Sequence, residues 1–370
     1  MQKVASRRDQ KRFIEYPYRK YRGLDVWVPP LVMGEREKFD PKRNPFFEHA
    51  RISQYLAIRA GEVVGRIAAI DDDNHNRTHN DNLLFFGFFE AEDEACAHQL
   101  LATVEKEAVS LGRQAVRGPT NPSMNDGAGF QIDGFDTPPY VMMPQNPPEY
   151  PAFVESAGYQ KVKDLFAWHF DVAKGPTDRL LRLAKRVKER YKPLIRPADM
   201  RNFRREIDIL KTFYNSVWEK NWGFVKYTDK EFEHMAKDLK LIVDPELVLF
   251  VEVDGDLAGL CLTIPDINQV LIRFNGRLFP FGIFHLLNRK KTIDRARLAV
   301  LGVLPEFRNK GLELVLMDEV SRRAKERGIR AGECSWILED NTSMNRAIEA
   351  SEVATLYKTY RLYQKPLALT

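Results

Sequence analysis

The stretch from Arg295 to Gly328, RARLAVLGVLPEFRNKGLELVLMDEVSRRAKERG, decides the fold of this 370-residue chain. Its apolar run from Leu298 to Leu304 is short and bounded by a proline, which predicts a buried strand. A polar, basic turn follows as far as Lys310. Gly311 then begins a run whose apolar residues recur at helical spacing, and Gly328 is expected to end that helix.

A strand, a basic turn, a glycine and a helix in this order suit a phosphate group. The first turn of a helix leaves backbone N–H groups without an intrahelical partner and carries the positive end of the helix dipole. We expect the turn to bind a diphosphate, although a ligand-free βα turn can have the same composition. The residues expected to bind it are Arg308, Asn309, Lys310, Gly311 and Leu312.

The composition, 44% hydrophobic and 29% charged residues, is typical of a globular protein and excludes a disordered or membrane-spanning class. The net charge of +5 favours anionic partners, but the basic residues are dispersed, so we expect no nucleic-acid partner. The basic start lacks an apolar core, which predicts a cytoplasmic protein, with peripheral contact at the inner membrane surface left open. Cys96, Cys261 and Cys334 are expected to be reduced core residues.

The chain reads as two copies of one α/β unit, each with a hairpin, an apolar strand and a helix. The first hairpin turns at Gly61 and its helix ends near Gly112, whereas the second turns at Gly255 and its helix ends at Gly328. We expect each copy to form a mixed, mostly antiparallel sheet flanked by helices. The predicted parts are a mostly irregular arm with at most one short helix or strand (1–48), a first domain (49–175), a linker helix (176–192) and a second domain (193–370).

The copies differ at the turn that precedes the helix. The first copy reads FEAEDE from Phe89 to Glu94, and its carboxylates would repel a diphosphate. We therefore expect only the second copy to bind a nucleotide.

Three other segments leave alternatives open. The linker helix is basic and amphipathic, so it can lie on an anionic membrane or pack between domains with a solvated face. The Pro/Gly/Asn-rich segment from Pro119 to Pro151 is either a cleft wall or a packed insertion. His75 and His79 lie on an acidic segment from Asp71 to Asn82 that is expected to be a solvated loop, and we expect no metal there.

The turn from Arg308 to Glu313 resembles the Arg/Gln-x-x-Gly-x-Gly/Ala motif of the GNAT acyltransferases, which hold the pyrophosphate of acyl-coenzyme A with it. The later run SWILEDN, Ser335 to Asn341, and the Tyr-rich strand after it resemble the second half of a GNAT domain. In that family a parallel strand pair splays there and admits the pantetheine arm. Glu313 replaces a small residue of the motif, and Ile348 stands where many members carry a tyrosine that protonates the thiolate.

Over nearly its whole length the chain resembles the bacterial ceramide synthase-like (YghO-like) family of tandem GNAT proteins. The resemblance implies an α/β fold with two tandem GNAT-like domains and an acyl-coenzyme A-dependent N-acyltransferase, which passes a fatty acyl group to an amine such as a sphingoid base. The segments that carry it include NPFFEHA (44–50), VGRIAAIDD (64–72), RGPTNPSMND (117–126), DGFDTPP (133–139) and GVLPEFRNKGLE (302–313).

Further site residues follow from this resemblance. An amine acceptor must lose a proton to attack, so a carboxylate is expected near the splayed strands, with Glu333 and Glu339 as candidates. Tyr357 and Tyr360 are candidates for the proton donor, although each of these four residues can instead have a structural role. No cysteine or serine stands in a nucleophile context, which favours direct attack. The expected cofactor-binding residues are Leu301, Val303 and Asn341, and the expected catalytic residues are Glu333, Glu339, Tyr357 and Tyr360.

The aromatic run from Leu278 to Phe284 either fills the core or lines an apolar channel for a lipid. We expect Asn275, Arg277 and Phe279 to contact the acceptor substrate. Two rival functions remain: a catalytically silent acyl-coenzyme A-binding module, and an aminoacyltransferase that uses aminoacyl-tRNA.

Overall fold

A computed structural model of the protein describes residues 1–219, 221–277 and 292–367. These residues form two compact units: unit 1 takes 1–165, 271–277 and 358–367, and unit 2 takes 166–270 and 292–357. The domain boundaries predicted from the sequence stay predictions. The run from Leu278 to Phe284, with the expected substrate residue Phe279, lies outside the described residues.

The described helices, in chain order, are α1 (Arg7–Lys20), α2 (Val32–Lys38), α3 (Asp73–His79), α4 (Glu94–Ser110), α5 (Tyr150–Ser156), α6 (Asp178–Tyr191), α7 (Phe203–Val217), α8 (Asp229–Ile242), α9 (Asn268–Leu271), α10 (Leu312–Glu326) and α11 (Thr342–Glu349). The strands are β1 (Gln2–Lys3), β2 (Ala50–Arg59), β3 (Glu62–Asp72), β4 (Leu83–Ala91), β5 (Ala115–Gly118), β6 (Phe130–Gln131), β7 (Gln160–Asp171), β8 (Leu194–Pro197), β9 (Val248–Val253), β10 (Asp256–Pro265), β11 (Arg295–Val303), β12 (Ala331–Leu338) and β13 (Ala354–Pro366).

The two units repeat one strand pattern. In unit 1, β2, β3 and β4 are antiparallel neighbours, α4 follows, and β5 pairs parallel with β4. In unit 2, β9, β10 and β11 are antiparallel neighbours, α10 follows, and β12 pairs parallel with β11. The predicted mixed, mostly antiparallel sheets flanked by helices are confirmed.

The predicted irregular arm is wrong over much of its length, because Arg7–Lys20 forms the helix α1. The Ser6 side chain accepts a hydrogen bond from the Asp9 N–H and begins the helix. Phe13 and Tyr16, three residues apart on the same side of α1, are buried. Pro17 lies inside α1, and because proline is unfavourable in a helix interior, the sequence does not indicate a helix there.

The predicted loop after residue 71 is also partly wrong. Asp73–His79 forms α3, which the Asp72 carboxylate caps by accepting from the N–H groups of Asn74 and His75. Burial lowers the pKa of His75 to about 4, so the imidazole is neutral near pH 7. The helix forms because its polar sequence has this strong cap.

Candidate active site

The turn between β11 and α10 has the predicted shape. Residues Pro305–Phe307 form a 3-10 turn, and α10 begins after Gly311, whose φ of 78° lies in the left-handed region. In this described part of the chain, Gly311 precedes α10 and provides no side chain that could accept a hydrogen bond from the N–H groups of the first turn. The amide groups at the start of α10 are therefore available to an anion.

Two cations stand at this turn. Arg308 is exposed. The Lys310 ammonium lies 4.5 Å from the ring centroid of Phe307 and 5.7 Å from that of Tyr191, at the end of α6. These aromatic contacts hold the Lys310 charge close to the helix start. Glu313, half-buried in the first turn of α10, is the one residue of the motif that would oppose an anion.

A helix forms where the linker helix was predicted: this is α6, which belongs to unit 2 and packs on α10. Its role as a linker stays a prediction. Ala184 is buried, and the Lys188 ammonium lies 2.7 Å from a carboxylate oxygen of Asp318. Val187 is so close that a Cβ added to Gly311 would lie 3.0 Å from its side chain. The apolar face of α6 therefore helps to shape the turn, while most of its basic side chains are exposed.

An opening separates β11 and β12, as the resemblance implies. Their parallel pairing ends at Leu298 and Cys334, although the strands continue to Val303 and Leu338. β11 stays paired with β10 throughout, with a bulge in which Ala299 has no Cα partner on β10. The bulge thus lies where the two parallel strands part.

In unit 1 the corresponding places are filled by the chain itself. The β4–β5 pairing ends at Phe85 and Arg117, and a Cβ added to Gly87 would lie only 1.6 Å from the Thr120 carbonyl oxygen. The Phe88 N–H donates to Asn121 Oδ1 at 2.6 Å. At the helix start, Asp93 Oδ1 accepts from the Cys96 N–H at 2.8 Å. Unit 1 thus binds amide groups at its opening and at its helix start with its own side chains, whereas Gly311 gives α10 no side-chain cap.

A buried polar network begins beside the opening. Glu333 on β12 is 1% exposed, and its two carboxylate oxygens accept hydrogen bonds from Ser335 Oγ, at 2.6 Å, and from the Tyr357 hydroxyl. Arg297, on β11, donates through Nε to Ser335 Oγ at 2.8 Å, and this nitrogen lies 3.8 Å from Glu333. A positive charge and two hydroxyl donors therefore surround the Glu333 carboxyl group.

Tyr357 connects this network to a less buried region. The tyrosine is half-buried, and its ring centroid lies 5.6 Å from that of His169, with an edge-on contact. Burial, with the nearby charge of Arg295, lowers the pKa of His169, so this imidazole is neutral near pH 7. Of the predicted catalytic residues, the structure brings Glu333 and Tyr357 together.

The other predicted residues lie elsewhere. Glu339 is half-buried directly after β12, and Tyr360 is fully buried in unit 1, where it pairs with Gln131 of β6. Asn341 Oδ1 accepts from the Met344 N–H at 3.3 Å and so caps α11. Leu301 and Val303 lie on β11 within the splayed part.

Asn275 and Arg277 are exposed residues of a turn in unit 1. Their role as substrate contacts stays a prediction.

Sequence reasoning missed Arg297, Ser335, His169 and the bulge at Ala299. The apolar setting of Ile348 was also not foreseen: it is buried among Trp168, Cys334 and Ile337. The three cysteines are buried and unpaired, as predicted, and burial raises the pKa of Cys261 and of Cys334 to about 12. Thiols in that state are poor nucleophiles.

Within the described ranges, no cluster of three histidine, cysteine or acidic side chains could hold a metal ion. Within the same ranges, every helix is too short or too polar to cross a lipid bilayer.

No protein-family model matches the chain. Bacterial ceramide synthase from Caulobacter vibrioides is 36% identical over 375 residues, which cover 98% of this chain and 96% of that relative. The chain belongs to the family of this protein. Protein YghO from Escherichia coli is 35% identical over 372 residues, with 98% of this chain and 94% of that relative covered.

A solved tandem GNAT protein from the clavulanic acid biosynthesis pathway superposes with a TM-score of 0.56 at 12% identity, and 98% of this chain and 97% of that chain are covered. At this identity the likeness concerns the fold. The prediction of two tandem GNAT-like domains is confirmed.

Proposed function

We propose that this N-acyltransferase takes a fatty acyl group from acyl-coenzyme A and transfers it to the amine of a sphingoid base. The observation that carries the proposal is the opening between β11 and β12. The uncapped start of α10 follows one end of β11, and the Glu333–Tyr357 pair lies beside the point where the strands part. The name of the Caulobacter relative supports a long-chain acyl group and a sphingoid acceptor.

The donor would bind along the second copy of the fold. Its diphosphate would lie on the N–H groups from Arg308 to Leu312, with Arg308 and Lys310 as countercharges. Its pantetheine arm would follow Leu301 and Val303. The backbone at the bulge would face the thioester, where an N–H group can polarise the carbonyl.

The acceptor amine would attack the thioester carbonyl directly. As the C–N bond forms and the C–S bond breaks, the amine loses a proton and the departing thiolate needs one. We assign the relay to Tyr357, because its hydroxyl donates a hydrogen bond to Glu333. The hydroxyl would receive the amine proton while its own proton moves to Glu333. It would then give a proton to the thiolate and take one back from Glu333. Arg297, whose Nε lies 3.8 Å from the Glu333 carboxylate, would supply a positive charge beside it.

A lipid acceptor would reach this site from a membrane surface. The exposed basic side chains of α6 support peripheral contact with an anionic bilayer.

The test is to incubate the purified chain with palmitoyl-coenzyme A and a sphingoid base, and to follow thiol release and amide formation. Amide formation supports the proposal. Binding of acyl-coenzyme A without turnover on any amine would instead favour a silent binding module, which the buried Ile348 in place of a tyrosine makes a real alternative. Binding of tRNA that weakens steeply with salt would favour an aminoacyltransferase.

A further inference from the structure

A cavity lies between α10 and the sheet of unit 2, and it is partly open to solvent. Leu314, Met317 and Ala324 of α10 form one wall, and Leu298 of β11 and Leu180 of α6 also line it. We call it the α10 cavity.

The chemistry of the walls favours a hydrocarbon. Several polar side chains that line the cavity have partners in the protein: Asp318 is bound by Lys188 at 2.7 Å, and Ser351 Oγ donates to the Ile348 carbonyl oxygen at 2.5 Å. Glu333 accepts from Ser335 and Tyr357. With these groups satisfied, a polar ligand would gain little, whereas an apolar ligand would be removed from water.

The cavity adjoins the candidate active site. Two residues that line it, Leu298 and Glu333, lie where the β11–β12 pairing ends. Helix α10, which forms one wall, also begins at the turn from Arg308 to Leu312 that is proposed to bind the diphosphate, here called the diphosphate turn. The lining residues of α10 run from Leu314 to Ala324, ten helical steps or about 15 Å along the helix axis. A short acyl group such as acetyl would leave most of that length empty.

We propose that the α10 cavity binds the aliphatic chain of the acyl donor, and that Ala324 at its far end limits the length of that chain. This inference rests on the proposed function, because it assumes that the thioester lies at the opening between β11 and β12. Ala324 lies near the carboxyl end of α10, far from the diphosphate turn, and its small side chain leaves space there. A larger residue would fill that space.

The test measures binding of coenzyme A, acetyl-, octanoyl- and palmitoyl-coenzyme A by calorimetry. For the unaltered chain we expect affinity to rise with chain length, by about fourfold for each fully buried methylene. Ala324→Phe should weaken the binding of palmitoyl-coenzyme A by roughly 15-fold if two methylenes are excluded from the cavity. The affinities for coenzyme A and acetyl-coenzyme A should stay unchanged. The control is Lys325→Ala, an exposed neighbour on the same helix, which should alter none of the four.

Ala324 is buried, and a phenylalanine there could prevent folding. Ser321→Phe is the second variant, because Ser321 lines the cavity and is half-buried. Equal affinity for acetyl- and palmitoyl-coenzyme A in the unaltered chain, or an unchanged length profile in the folded variants, overturns this inference and leaves the proposed function intact. If no form of coenzyme A binds, the proposed donor is wrong and the inference fails with it.

Discussion

Replacing Tyr357 by phenylalanine separates the proposed proton relay from a structural role. The ring and its contact with His169, 5.6 Å between centroids, are kept, and one hydroxyl is lost. Glu333 is 1% exposed and keeps Ser335 Oγ at 2.6 Å and Arg297 at 3.8 Å. Leaving one of its acceptor oxygens short of a donor should cost about 1–3 kcal/mol of unfolding free energy. Because Glu333 keeps Ser335 and Arg297 beside it, we expect a loss of unfolding free energy near the lower end of that range.

The expected effect on turnover is much larger. A positioned acid–base group contributes about 10²–10⁴-fold, so kcat for amide formation should fall by that factor while the Kd for acyl-coenzyme A changes little. Ser335→Ala is the matched control, since it removes the other donor to the same carboxylate. That variant should lose similar stability but keep most of its kcat. If Tyr357→Phe retains kcat within a few fold, or if the two variants fall equally, Tyr357 does not carry the proton.

Two further predictions concern backbone conformation and pH. Gly311→Ala places a Cβ at φ 78° and 3.0 Å from Val187, so we expect about 1–2 kcal/mol of destabilisation and weaker binding of acyl-coenzyme A. The control is Gly328→Ala, at φ 77° with no atom near its added Cβ, which should lose stability but keep its affinity for acyl-coenzyme A. Equal binding by both variants would refute the role of the turn. The pKa of His75 is about 4 when folded and near 6.5 when unfolded. The unfolded state therefore binds more protons between these values, and stability should fall by up to about 3 kcal/mol as pH drops from 6.5 to 4. Denaturation of His75→Phe should show a shallower fall over that range, and an unchanged slope would show that His75 is not responsible.

The strand, turn and helix around Gly311 could be predicted because local signals determine them: a bounded apolar run, a glycine and a helical repeat of apolar residues. The duplication was visible for the same reason, as the order of elements is a local property repeated along the chain. Helices α7 and α8 were not identified. The start of α7 at Phe203 has no side-chain cap, whereas α8 begins with a capping box of Thr228 and Glu231, a sequence signal that was overlooked.

The network around Glu333 could be predicted only in part. Arg297 meets Ser335 because β11 and β12 pair in one register, across 38 residues of sequence, and no local pattern specifies that register. The filled opening of unit 1 depends likewise on Thr120 and Asn121 approaching β4. The sequence had left that Pro/Gly/Asn-rich segment open as a cleft wall or a packed insertion, and its start is packed.

The central claim is that the turn at Gly311 binds the diphosphate of acyl-coenzyme A, and the most direct measurement is the melting temperature with and without palmitoyl-coenzyme A. A ligand that binds only the folded chain raises this temperature. We expect a rise for the unaltered chain and for Lys325→Ala/Arg330→Ala, which removes two exposed cations beyond the turn. Arg308→Ala/Lys310→Ala should lose most of the rise, since two countercharges of about 1 kcal/mol each amount to roughly 30-fold in affinity. An equal rise in all three proteins, or none in any, would contradict the claim.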